Sequence, residues 1–171
     1  MPSGIDHPAA WPVPELLKRC DVKRLRRGGP GGQHRNKVET AVIVHDPVSG
    51  QSGEGNERRS QEANRQVAIF RLRVNLAIHV IDEIDLSATP SELWRSRLRS
   101  GKVSVNPTHD DFPALLAEAI TVLQAESWDV SAAATRLGCS TSQLVKFLKN
   151  ESAAFALLNR HRDQLGLKRL K

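Results

Sequence analysis

Between Gly28 and Gly32 the chain reads Gly-Gly-Pro-Gly-Gly, and no helix or central strand runs through such a stretch. Four glycines lose too much backbone entropy on ordering to hold a regular element. Pro30 also lacks the N–H that a helix or a ladder needs. The fold must therefore be divided here, with regular elements on either side of an irregular loop. Upstream, Glu15–Arg24 (ELLKRCDVKR) fits a short helical turn followed by an extended segment. Downstream, Glu39–His45 (ETAVIVH) is β-branched and compact, the best strand of the chain, and Asp46-Pro47 stops it. Val48-Ser49-Gly50 supplies a turn. Gln51–Glu57, interrupted by Gly53 and Gly55, reads as a poor edge strand or a loop.

The next segment changes period. Ser60 fits the N-cap of a long helix, with Glu62 near its positive end. Ala63, Val67, Phe70, Val74, Ala77, Ile81 and Ile84 recur at three- and four-residue steps and form its apolar stripe. Arg65, Arg71 and Arg73 lie off that stripe and should be solvated or bound to something anionic. Beyond a linker at Asp85–Ala88 the chain reads as helical. Thr89-Pro90-Ser91-Glu92 combines a capping box with proline at the first helical position. Gly101 ends that helix, and Asn106-Pro107 is a loop before a helix at about 113–125. Helices near 130–137, 141–149 and 151–165 follow, separated by Gly138 and Asn150. The fold class is α+β, a small β-sheet packed on one long helix and followed by an all-helical C-terminal region. Three units are expected: a flexible tail at 1–14, a loop-bearing α+β domain at 15–85, and a helical region at 86–171 ending in a short basic tail.

The loop carries the chemistry. Arg26-Arg27-Gly28-Gly29-Pro30-Gly31-Gly32-Gln33-His34-Arg35-Asn36-Lys37 brings backbone amides close to a ligand and surrounds them with cations. Arg26, Arg27, Arg35 and Lys37 suit a phosphate-lined site, and Gln33 offers a neutral donor and acceptor. With no acid, Cys or Ser in the loop, its chemistry is positioning and oxyanion stabilisation. A nucleotide-binding loop of Walker type would need Gly-Lys followed by Ser or Thr between a strand and a helix, and Gly32 is followed by Gln33 and a strand. Composition alone would leave this an exposed basic loop or hairpin tip.

Two ordered motifs take the reading further. GPGGQHRNKVETAV, followed by Arg59-Ser60-Gln61 and Asn64-Arg65 at the start of the long helix, resembles the GGQ domain of class I peptide-chain release factors and of their codon-independent ribosome-rescue relatives. The resemblance spans about residues 15–84. It implies that the loop enters the peptidyl-transferase centre of the large ribosomal subunit and promotes attack of water on the ester of the P-site peptidyl-tRNA. Gly31, Gly32 and Gln33 are then the catalytic residues. The glycines aim the Gln33 backbone N–H at the leaving 3′ oxygen or the developing oxyanion, and one such donor is typically worth ~3 kcal/mol. The Gln33 side chain shapes a pocket that admits water, and the same position is methylated in family members. Arg26, Arg27, His34, Arg35, Asn36, Lys37, Arg59 and Arg65 are the expected RNA-contacting residues. Two departures stand out: Arg35 replaces a small apolar residue, and Arg27-Gly28 replaces a pair of serines.

The remainder of the sequence narrows the role. The C-terminal half matches no decoding motif, so the expectation is ribosome rescue without stop-codon reading. The alternatives are a termination factor that needs a decoding partner, or a helix-turn-helix nucleic-acid protein with a degenerate GGQ loop. Ala134, Gly138 and Leu144 have helix-turn-helix spacing, which plain helical packing also produces, and Ser142, Gln143, Lys146 and Lys149 lie on its second helix. Arg160, Arg162, Lys168, Arg169 and Lys171 oppose only Asp163 near the end. A net charge of +6 favours a polyanionic partner. Cys20 and Cys139 have no metal spacing and read as free thiols, and no apolar run reaches a membrane span. The expected partners are the large subunit, P-site peptidyl-tRNA and ribosomal RNA, with no cofactor, metal or membrane. The protein is expected to be a cytoplasmic monomer whose hydrolase activity exists only together with the ribosome.

Overall fold

The computed structural model describes residues 6–25, 40–81, 87 and 89–171. Helix α1 (Val13–Lys18) starts on a proline-rich turn and buries Leu16. Strands β1 (Asp21–Leu25), β2 (Ala41–Asp46) and β3 (Gln51–Gly55) form an antiparallel sheet in that order, with β2 central. The register sets Leu25 opposite Ala41 and Val44 opposite Gly53. Helix α2 (Gln61–His79) lies across the sheet, and Ser60 caps it by accepting the Ala63 N–H at 3.3 Å. The β-branched run therefore takes the centre of the sheet and the polar, glycine-bearing run takes one edge.

Segment 51–55 is a strand because its glycines let a helix approach. A Cβ on Gly53 would stand 2.0 Å from the Ala68 carbonyl oxygen, and one on Gly55 would stand 2.1 Å from that of Asn64. Asn64, Ala68 and Leu72, four residues apart, are fully buried and form the face of α2 that meets the sheet. This corrects the expected stripe. Ala63, Val67 and Phe70 are only half-buried, and α2 ends at His79, before Ile81 and Ile84.

Arg73 is a second correction. Expected to be solvated or bound to something anionic, it is 8% exposed, with Nε donating to the Ala9 carbonyl (2.9 Å) and Nη1 to that of Asp110 (2.9 Å). The guanidinium thereby joins the N-terminal segment to the segment preceding the next long helix. Nor is the described part of residues 1–14 a flexible tail. His7 accepts the Ala9 N–H through Nδ1 and bonds the Val80 carbonyl through Nε2 at 2.8 Å, and Pro8–Ala10 forms a buried 3-10 turn. Two buried groups and a cap hold it, where proline content alone read as disorder.

Helix α3 (Glu92–Arg97) is capped by Ser91, whose Oγ accepts the Trp94 N–H at 3.0 Å, so Pro90 precedes the cap instead of opening the helix. Gly101 does not end α3. With Ser100 it forms the positive-φ turn (49° and 73°) between β4 (Leu98–Arg99) and β5 (Lys102–Val103). Helix α4 (Phe112–Ala125) is buried on every side from Phe112 to Leu123, as a helix that is apolar all round must be. Its one acid, Glu118, accepts both the Ser91 N–H (2.7 Å) and the Ser91 hydroxyl (2.5 Å), while burial pushes its pKa up.

Helices α5 (Val130–Arg136), α6 (Thr141–Leu148) and α7 (Ser152–Gln164) close the fold. Trp94 stands edge-on to Phe147 at 5.5 Å, and its Nε1 donates to the Leu137 carbonyl. One apolar core runs from Val42 and Val44 through α2 and α4 to Leu158. The break expected at residues 85–86 is a change of composition and not a gap in packing. The α+β class stands.

Candidate functional site

Gly31, Gly32 and Gln33 lie outside the described residues, as do Arg26, Arg27, His34, Arg35, Asn36 and Lys37. The frame that carries them is described. Segment 26–39 leaves the sheet at Leu25 and returns at Thr40, next to Ala41, the register partner of Leu25. Both anchors therefore sit at one end of an antiparallel pair, where facing Cα atoms are about 5 Å apart.

Asn64 secures that end. Its side chain is fully buried, and Nδ2 donates to the Thr40 carbonyl (2.7 Å) and the Arg58 carbonyl (2.9 Å). Oδ1 accepts the Arg58 N–H at 2.8 Å. One amide thus ties the return point of the glycine loop to the start of α2. Two carbonyls and one N–H also leave the amide a single sensible orientation. Asn64 occurs in the second motif, but its position on the long helix gave no sign that it reaches back 24 residues to Thr40.

Arg59 and Arg65, expected to contact RNA, stand at this same end. Arg59 is exposed in the loop before Ser60. Arg65 is half-buried, and its Nη1 lies 3.8 Å from Glu62 Oε1. Arg58, not singled out from sequence, is exposed beside Arg59 and uses its backbone to hold Asn64. Arg71 braces the loop by donating to Glu57 Oε1 and to the Glu54 carbonyl, both at 2.6 Å. The Asn56 N–H, then Glu57's own N–H and the Arg71 guanidinium, hold the Glu57 carboxyl below the usual carboxylate range. Of the predicted set, the described structure brings Arg59 and Arg65 together with the loop's return point. Their bearing on the other seven RNA-contacting and catalytic side chains falls outside it.

At the far end of the sheet Asp46 is buried. Burial alone would raise its pKa, but hydrogen bonds from the Ser49 hydroxyl and from Arg19 (2.6 Å each) hold it below the ordinary value. Arg19 also stacks on Trp11, 4.6 Å from the ring centre. Cys20 and Cys139 are free, and burial pushes each thiol up to about 11, so neither is primed as a nucleophile. Among the described residues no group of three His, Cys, Asp or Glu side chains is placed to hold a metal, and no helix is long and apolar enough to cross a membrane.

A three-stranded sheet under one long helix, with a glycine-rich segment between β1 and β2 and an Arg-Ser-Gln…Asn-Arg helix start, points to the GGQ-containing domain of a class of translation factors. The RF-1 domain model, that of the GGQ-containing domain of class I release factors, matches residues 17–106, and the chain belongs to this family. The match runs through α3 and the β4–β5 hairpin. The chain is 48% identical over 95 residues to peptide chain release factor PrfB1, chloroplastic, of Arabidopsis thaliana, over 52% of this chain and 20% of that protein. To peptide chain release factor 1 of Chlorobaculum tepidum it is 38% identical over 108 residues, 62% of this chain and 30% of the relative. The chain thus spans well under half the length of these relatives. No solved structure matches.

Proposed function

We propose that this protein promotes ribosome-dependent hydrolysis of the peptidyl-tRNA ester through Gly31-Gly32-Gln33. The observation that carries the reading is the family match over residues 17–106, which encloses the loop, together with the Asn64 clamp on the loop's return strand. In this reading Gly31 and Gly32 aim the Gln33 N–H at the oxygen that gains charge as the ester breaks. The Gln33 side chain leaves room for water only, and modification of its amide would tighten that pocket. The ribosome supplies the remainder of the active site, and Arg26, Arg27, His34, Arg35, Asn36, Lys37, Arg59 and Arg65 neutralise RNA phosphates around the loop. The exposed Arg58 and Arg59 at the loop's end of the sheet suit that partner.

The target we favour is a ribosome whose A site is not programmed with a stop codon. Residues 107–171 lie beyond the family match and form a packed helical region, and its last part, residues 130–171, carries an excess of Lys and Arg that suits RNA contact. Peptide release from ribosomes with empty, sense-filled and stop-filled A sites separates the readings. Release from the empty or sense-filled complexes without a second factor is expected. Release confined to stop-filled complexes, or dependent on an added decoding protein, would show a termination factor instead.

A further inference from the structure

The entire net charge of the chain sits at its C-terminal end. Residues 1–129 hold 17 Lys and Arg against 17 Asp and Glu, whereas residues 130–171 hold 8 against 2. The last residues do not hang free. Gly166 (φ 68°) reverses the chain after α7, and the Leu167 N–H bonds the Arg162 carbonyl at 2.8 Å. Asn159, 7% exposed, accepts the Leu170 N–H (2.8 Å) and donates to the Leu170 carbonyl (3.2 Å). Arg162 Nε donates to the Lys168 carbonyl at 2.9 Å. Upstream, the Lys149 ammonium lies 5.3 Å over the Phe155 ring. Positions 155, 159 and 162 are four and three residues apart and share one face of α7. Lys149, the returned tail and Arg162 therefore follow one another along a single ridge.

The chemistry of the ridge selects its partner. Lys149, Lys168 and Lys171 are exposed and have no acidic partner among the described residues, while Arg169 pairs with Asp163 in solvent at 3.2 Å. Phe155 is covered by Lys149, and Trp128 is buried against His161 at 3.8 Å, so the ridge presents no aromatic anchor of the kind that dominates protein–protein contacts. The neighbouring helix α6 adds the exposed Ser142 and Lys146, while Gln143, its one amide side chain, is half-buried. Ammonium and hydroxyl groups of this kind bond phosphates and read no base sequence.

We propose that the Lys149–Lys168–Lys171 ridge, fixed by the Asn159 clamp, docks on the phosphate backbone of RNA as a prefolded surface. That this RNA is ribosomal rests on the function proposed above; RNA binding by the ridge does not. The test is fluorescence anisotropy of the full-length protein with a short labelled RNA duplex across a salt series. The K149Q/K168Q/K171Q variant should bind at least about tenfold more weakly at low salt, with a salt slope reduced by about 2 to 3. Asn159→Ala, which keeps every charge but frees the tail, should also weaken binding. Duplex binding needs no ribosome and is read apart from peptide release by the same unaltered protein, which separates failure of the ridge from failure of the release reading. Unchanged affinity and slope in the triple variant would overturn the proposal, as would tighter, sequence-dependent binding to duplex DNA. If Asn159→Ala binds as well as the parent, the prefolded surface is wrong.

Discussion

Asn64 carries more consequence than any other described side chain, because three hydrogen bonds from one buried amide fix two segments at once. Asn64→Asp keeps the shape but cannot donate, and it sets a carboxylate against the Thr40 and Arg58 carbonyls. Asn64→Ala leaves those carbonyls and the Arg58 N–H unpaired. Each change should destabilise the fold by about 2–4 kcal/mol, within the range seen when buried polar partners are orphaned. Because Thr40 is the return point of the glycine loop, ribosome-stimulated release should fall well below what the folded fraction explains. Release that merely tracks that fraction would reduce Asn64 to a structural role. Asp46 yields a pH prediction. Its folded pKa lies below the ordinary 3.8, so its contribution is complete above that value and is lost as pH falls through the folded one. Thermal melts should show the protein losing more stability than Asp46→Asn on acidification below about pH 4. Equal losses would assign the acid sensitivity to other carboxylates.

Strand β3 and the β4–β5 turn show how differently two glycines act within their elements. Gly53 has no room for a side chain, with the Ala68 oxygen at 2.0 Å and the Leu72 nitrogen at 2.4 Å from the missing Cβ. Gly53→Ala must push α2 off the sheet and should cost upward of about 3 kcal/mol by chemical denaturation. Gly101 has a positive φ but open space, so Gly101→Ala should cost only about 1 kcal/mol. Comparable losses in the two variants would contradict the close packing described for β3. The same pair marks what was legible in the sequence. β2, the Ser60 cap, α4 and the last three helices follow from local pattern and capping chemistry, which act within a few residues. β3 was ambiguous because its glycines lower strand propensity while serving a contact made some fifteen residues away along the chain. The buried face of α2 was misread for a related reason. Sheet and α4 pack on two sides of it, so burial is spread wider than one stripe and takes in Asn64 and Arg73. Likewise, Gly101 reads equally as a helix stop or a hairpin turn until Val103 is seen opposite Leu98. The loop was legible as chemistry because the composition Gly-Gly-Gln among cations is unusual in itself. Its clamp was not, since a long-range hydrogen bond leaves no local pattern.

At the scale of the whole molecule, sheet and helices share one core. Arg73 joins the N-terminal turn to the segment before α4, and Glu118 on α4 secures the cap of α3. Unfolding should therefore be a single transition reported alike by sheet and helix signals, and Arg73→Ala should lower its midpoint as a unit. Two resolved transitions would show that the halves fold separately. That rigidity matters to function because the proposed catalytic loop performs no covalent step and acts only by position. A shifted sheet end would misplace the Gln33 N–H, and a 1 Å error can cost about a hundredfold in rate. The basic ridge on α7 belongs to the same picture, since a second RNA contact on a shared core would fix the loop's approach from a distance. The most direct test of the central claim is peptide release from ribosomes carrying P-site peptidyl-tRNA, with Gln33→Pro and Gln33→Ala proteins shown to be folded. Proline deletes the backbone N–H, so Gln33→Pro should lose release by about a hundredfold or more. Gln33→Ala keeps that N–H and should retain release while admitting larger nucleophiles such as hydroxylamine. Undiminished hydrolysis by Gln33→Pro would contradict the account.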